Sequence, residues 1–127
     1  MITHKLDFGT FTIHDRCMVG EFARGADFDL EKLQTLKALS EEHFDGAFGY
    51  IANRVNSYSI DPCIYAAVGP IKNLKSMAFV TYRNAQLQAL QVERCFMPSL
   101  PTGSFFSLID AINWTQSILR QVESLKK

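Results

Sequence analysis

The chain of 127 residues reads as one α/β domain, a mixed β-sheet with about four helices spanning residues 1–127. Three observations carry that reading. The first 22 residues hold short apolar segments separated by turn residues. Two continuous apolar stretches, Phe48–Asn53 and Ser76–Tyr82, are too short for helices and suit strands buried on both faces. Segments of helical periodicity stand between and after them, so the order is a strand meander followed by repeated helix and strand.

Taken in order, Phe8, Phe11, Ile13, Val19 and Phe22, broken at Gly9 and at His14-Asp15-Arg16, predict two or three antiparallel strands. Asp27 or Asp29 can cap a helix with Leu30, Leu33, Leu36 and Leu39 on one side, ending at Asp45-Gly46. Phe48–Asn53 is the central strand. Arg54 to Asp61 is polar and irregular, and Pro62 suits the first position of a short helix that Asp61 would cap. Ser76–Tyr82 is the next strand, and Asn84 can cap a helix to about Met97, where Pro98 stops it. Ser104–Phe106 is a brief strand. Ser107 with Asp110 resembles a capping box opening a last helix that bears Ile109, Ile112, Leu119 and Val122. Right-handed crossovers make the three later strands parallel, and the meander adds antiparallel ones.

Thirteen basic and 13 acidic residues give a net charge of zero, which excludes whole-surface attraction to nucleic acid. With 47% hydrophobic and 20% charged residues the chain folds rather than staying disordered. No apolar run approaches the roughly 20 residues of a membrane span. The start, Met-Ile-Thr-His-Lys-Leu-Asp, lacks a secretory pattern, so a cytoplasmic location is expected. Cys17, Cys63 and Cys95 form no C-x-x-C pair and are expected to be reduced and mostly buried. His4, His14 and His43 share no metal-ligand spacing, no phosphate-cradling glycine motif occurs, and no G-x-S-x-G elbow pairs a serine with a base. No catalytic residue, metal or cofactor is therefore assigned.

Arg54 to Pro62 is the candidate site, at the carboxyl end of a buried strand and the amino end of a helix, where α/β sheets collect ligands. Arg54, Asn56, Ser57, Tyr58 and Ser59 offer donors to an anion, beside Asp61. The competing reading makes Asp61 a cap, Arg54 an ion-pair member and the serines turn residues. The helix from Ala85 has two apolar sides. At 100° per residue, Ala85, Ala89, Val92 and Phe96 form one stripe while Leu87, Leu90 and Met97 gather almost opposite. The second side needs a cover: the chain's own loop, a second subunit, an apolar ligand or a membrane surface.

The element order, and the stretch Phe48-Gly-Tyr-Ile-Ala-Asn-Arg-Val-Asn-Ser-Tyr-Ser-Ile-Asp-Pro62, resemble the SpoIIAA-like proteins, a bacterial branch related to STAS domains. The resemblance implies a non-enzymatic domain, with Ser57 or Ser59 nearest the serine that is phosphorylated in the related anti-sigma-factor antagonists. The sequence departs from those proteins where Asp61-Pro62 occupies the helix start. The fold class also resembles CRAL-TRIO lipid-transfer domains, which hold an apolar ligand beneath a movable helix. Two function readings follow. One is a binding module for a small, partly apolar, anionic, lipid-like ligand between the Arg54–Asp61 loop and the helix from Ala85, with peripheral membrane association. The other is a STAS-type regulator that docks a protein partner or a second copy through the same loop. An enzyme of another class stands third.

Overall fold

The computed structural model describes residues 1–68, 70–82 and 100–125. Its elements are β1 (Ile2–Leu6), β2 (Gly9–His14), β3 (Cys17–Phe22), β4 (Asp27–Phe28), α1 (Leu30–His43), β5 (Phe48–Asn53), β6 (Ser59–Ile60), α2 (Ile64–Val68), β7 (Leu74–Val80), β8 (Thr102–Phe105) and α3 (Leu108–Leu125). The main sheet has the order β1-β2-β3-β5-β7-β8. The first three strands are antiparallel neighbours, and β3, β5, β7 and β8 run parallel. The chain is thus α/β with a mixed sheet. Among the described residues there are three helices, and the helix expected from Ala85 lies outside them.

β5 is buried at all six positions, so its side chains alternate between two interiors. On one face Phe48, Tyr50 and Ala52 join Phe11, Met18, Phe22, Met77 and Phe79 beneath α1 and α2. On the other, Ile51 joins Cys17, Val19, Ala78 and Val80 beneath Ala111 of α3. The two faces differ in closeness, α3 lying tight against β5, β7 and β8 while α1 and α2 stand farther off. The reason is side-chain size. A Cβ placed on Gly49 would collide with Thr115 Cγ2 and with Ser76 Oγ, so a hydrogen at this position lets the helix approach.

Asp29 caps α1, its Oδ1 accepting from the Lys32 N–H at 3.0 Å. Ser107 Oγ accepts from the Asp110 N–H at 3.5 Å at the start of α3. The expected apolar stripe on α1 needs correction, because Leu33 and Leu36 are buried while Leu39 is half-buried and Leu30 exposed. Three-residue steps turn back by about 60° each on an α-helix, so Leu30 and Leu39 fall on either flank and Ser40 takes the inward position. Likewise α3 buries Ala111, Thr115 and Leu119, while Ile109 is exposed on its outer side. The last strand ends at Phe105, leaving Phe106 exposed. No helix among the described residues is long and apolar enough to cross a membrane.

The tight seam is testable. Gly49→Ala is expected to cost about 1–3 kcal/mol through overpacking, read as a lower denaturation midpoint, and Thr115→Ser, which removes the obstructing methyl, is expected to restore part of it. A neutral Gly49→Ala would contradict the close approach of α3.

Candidate functional site

The site grows from the end of β5. The Arg54 N–H donates to Val80 O at 3.0 Å, so the β5–β7 ladder continues one residue past Asn53. Alternation then sends Arg54 to the same side as Phe48, Tyr50 and Ala52, into the interior under α1 and α2. Its side chain is only 7% exposed. The guanidinium lies 5.0 Å from the centre of the Phe79 ring and 5.9 Å from that of Tyr58. Cation–π attraction to both rings offsets part of the cost of burying the charge.

Arg54 forms part of the wall of a cavity of about 60 Å³ between α1, α2 and the sheet. That space exceeds the roughly 10–15 Å³ one water needs. Leu33, Leu36, Ile64, Val68, Met77 and Phe79 supply apolar walls, and Lys37 and Ser40 face in from α1. Ser40 Oγ donates to Lys37 O at 2.7 Å. Tyr50, also in the wall, is buried, and its hydroxyl, closed off from solvent, has no hydrogen-bond partner among the described residues. The hydroxyl passes over Gly20 of β3, where any Cβ would collide with it. Gly20 pairs with Ala52, so the hydroxyl stands at the level of Ala52, two residues short of Arg54. Burial pushes the Tyr50 phenol well above its ordinary value of 10.0; Tyr58 adds to the rise and Arg54 opposes it.

Tyr58 is held in place by rings. It stacks on Phe22 at 4.8 Å, and Phe22 stacks on Phe28 at 4.5 Å. The backbone between Arg54 and Asp61 is clamped to the segment after β3. Gly25 N–H donates to Ser57 O, Ser59 N–H to Ala26 O and Asp61 N–H to Phe28 O, the last two forming the parallel pair β4·β6. This pairing is absent from the sequence reading, since two-residue strands carry no periodicity.

The candidate residues therefore separate. Arg54 and Tyr58 face the cavity. Asn56 Nδ2 donates to Phe22 O at 3.1 Å, Ser59 Oγ donates to Asp27 Oδ1, and Asp61 Oδ1 accepts from the Cys63 N–H at 3.0 Å. Ser57 and Ser59 are both exposed, but a phosphate on Ser59 would meet the Asp27 carboxylate. Leu87, Leu90 and Met97 lie outside the described residues.

The cysteine expectation holds for Cys17, buried and with a thiol raised to about 11 by desolvation and by Asp15. It fails for Cys63, which is exposed at the turn into α2, where Ile64 and Val68 take the inward side; Cys95 lies outside the described residues. The histidine spacing concealed a contact. His4 Nε2 and His43 Nε2 lie 2.8 Å apart, joining β1 to the last turn of α1, so one ring donates and the other accepts. Among the described residues no three His, Cys, Asp or Glu side chains come together to hold a metal. On the opposite face of β5, Tyr82 Oη donates to Asn53 Oδ1 at 2.7 Å and Asn53 Nδ2 donates to Glu21 Oε1 at 2.8 Å, anchoring the strand end from which Arg54 projects.

Comparison with protein-family profiles, with curated proteins and with solved structures finds no match to this chain.

The enclosed phenol sets a pH dependence. Above pH ~10 an unfolded tyrosine releases its proton while folded Tyr50 holds it, so its contribution to stability is complete below that pH and falls as pH rises, by up to about 1.4 kcal/mol per unit. Tyr50→Phe is expected to flatten the alkaline limb of a stability–pH curve and to leave neutral-pH stability equal or higher, since an unpartnered hydroxyl is removed. Loss of stability at neutral pH with an unchanged alkaline slope would contradict this burial.

Proposed function

We propose that the chain is a binding module that holds a small, amphipathic anion in the cavity between α1, α2 and the sheet. The observation that carries the reading is the buried Arg54 side chain, with Lys37 and Ser40 of α1, in the wall of a cavity whose other lining is mainly apolar. Such a site favours a ligand with an apolar body, which fills the space, and an anionic head, which accepts from the polar groups. Arg54 anchors the head, Tyr58 and Phe79 hold the guanidinium from its faces, and the apolar walls select the body. The ligand chemistry is the one expected from the sequence. From the sequence the Arg54–Asp61 loop and the helix from Ala85 are expected to enclose the ligand; α1 and α2 are the cover proposed from the described residues, and the helix from Ala85 lies outside them.

The test is native mass spectrometry of protein purified from its own cells, comparing the wild-type chain with Arg54→Met, which keeps an unbranched apolar side chain and removes the charge. The wild type is expected to carry a retained mass at one per chain. Arg54→Met is expected to lose it, because a charge-assisted contact is worth about 1.5–3 kcal/mol, while its denaturation transition stays cooperative. A folded Arg54→Met that retains the mass overturns the anchoring role.

A further inference from the structure

We infer that the contact between His4 and His43 is an acid-released latch, which ties β1 to the end of α1 at neutral pH and lets go when both rings are protonated. The two Nε2 atoms lie 2.8 Å apart, and the ring centres, at 4.9 Å, stand farther apart than the nitrogens, so the rings meet edge to edge with a hydrogen between them. The bond needs one donor and one acceptor. A neutral pair supplies both, and so does a pair carrying one proton, in which an imidazolium donates to an imidazole. A second proton leaves two donors, no acceptor and two positive charges in contact, so the bond is lost. Imidazoles change charge between about pH 5 and 8, a range in which no other ordinary side chain does so.

β1 is an edge strand, paired with β2 alone, and among the described residues no other hydrogen bond or ion pair joins it to α1. By alternation His4 shares the α1 side of β1 with Leu6, which packs on the core there. The charged and titratable groups of the surrounding elements are Lys5 of β1 and Asp7 after it, His14 of β2, and Lys37, Glu41 and Glu42 of α1 with Asp45 after it. Lys5 and His14 alternate to the opposite face of the sheet, Lys37 stands in the cavity wall, and the acids are exposed. None of them is in hydrogen-bond or ion-pair contact with either ring, so no carboxylate in contact offsets the second charge.

The latch stands beside the cavity. His43 is the last residue of α1, and the next N–H, that of Phe44, donates to Ser40 O at 2.9 Å. The Phe44 ring lies parallel to that of Phe48 at 4.7 Å. Ser40 and Phe48 both belong to the cavity wall. Release of His43 therefore loosens the last turn of α1 at residues that help to make that wall. The effect on a bound anion rests on the reading of the cavity as a ligand site; the latch itself does not.

Nuclear magnetic resonance of the full, nitrogen-labelled chain without added ligand tests the latch at about pH 7.5 and about pH 5, on either side of the ordinary imidazole value near 6.5. At the higher pH a scalar coupling between the two Nε2 nuclei across the hydrogen bond is expected, and at the lower pH it is expected to vanish. Opening of the Phe44 amide, read from hydrogen exchange corrected for the pH dependence of the exchange chemistry, is expected to rise about threefold or more in acid, the loss of one hydrogen bond. His4→Gln and His43→Gln are each expected to abolish that rise, whereas His14→Gln keeps it. A coupling absent at the higher pH or persisting at the lower one overturns the latch. So does a wild-type Phe44 amide that opens equally at both, or a rise of the same size in His4→Gln and His43→Gln. The wild-type readouts decide even where a variant does not fold, and because no ligand is present their failure leaves the reading of the cavity standing.

Discussion

Everything in this molecule is arranged around one strand covered on both faces. β5 sends Gly49 and Ile51 to one interior and Phe48, Tyr50, Ala52 and then Arg54 to the other. On the first side small residues meet: Gly49, Ala78, Ala111 and Thr115 let α3 settle on the sheet with hardly room for a methyl group. On the second side large residues meet, and α1 and α2 are held off by the rings of Phe22, Phe28, Tyr50, Tyr58 and Phe79. Rings and branched chains of that size leave gaps when they prop two layers apart, and dispersion contacts missing across a gap are a cost the fold carries. The cavity is the result of this unequal packing. Its position follows from the same alternation that places Tyr50 and Arg54 in its wall.

A buried guanidinium is the second element of the design. Left in an apolar medium it would be strongly unfavourable, so its surroundings must compensate it. The faces of Phe79 and Tyr58 do part of this, and the Tyr58 ring is in turn fixed by its stack on Phe22. The β4·β6 pair holds the backbone on both sides of these rings. The polar residues that follow Arg54 thus have a mechanical purpose. Asn56, Ser59 and Asp61 tie the segment to residues 22–28, and the rigid segment keeps Arg54 and Tyr58 on the cavity side.

Much of the fold was legible in the sequence because the informative signals were local and repeated. The largely apolar stretch Phe48–Asn53 marked β5 at its observed limits, Asp27 or Asp29 and then Ser107 marked helix starts, of which Asp29 is the first cap, and the alternation of elements pointed to the mixed sheet. What escaped was information carried by single residues or by distant pairs. The leucines of α1 occur at three-residue steps, and the true helical period moves the first and last of them off the buried side. β4 and β6 are too short for a pattern, and His4 meets His43 across 39 residues of chain. Arg54 was legible as a candidate anion anchor but not as a buried one. A charged residue after an apolar run reads as the end of a strand, and only the extra backbone bond to Val80 carries the inward alternation one step further. The cavity itself has no sequence signal, since it arises from how side chains of three elements fail to fill the space between them.

The central claim is one of place, that the apolar body of an amphipathic anion enters the interior under α1 and α2. It is tested most directly by intermolecular nuclear Overhauser effects between decanoate, as such an anion, and methyl-labelled protein. The expected result is contact from the chain methylenes to Leu36, Val68, Ile71 and Met77, with none to Val19, Val80 or Ala111 on the α3 side. Contacts confined to the α3 side, or to exposed methyl groups such as those of Ile2 and Ile109, would contradict the account.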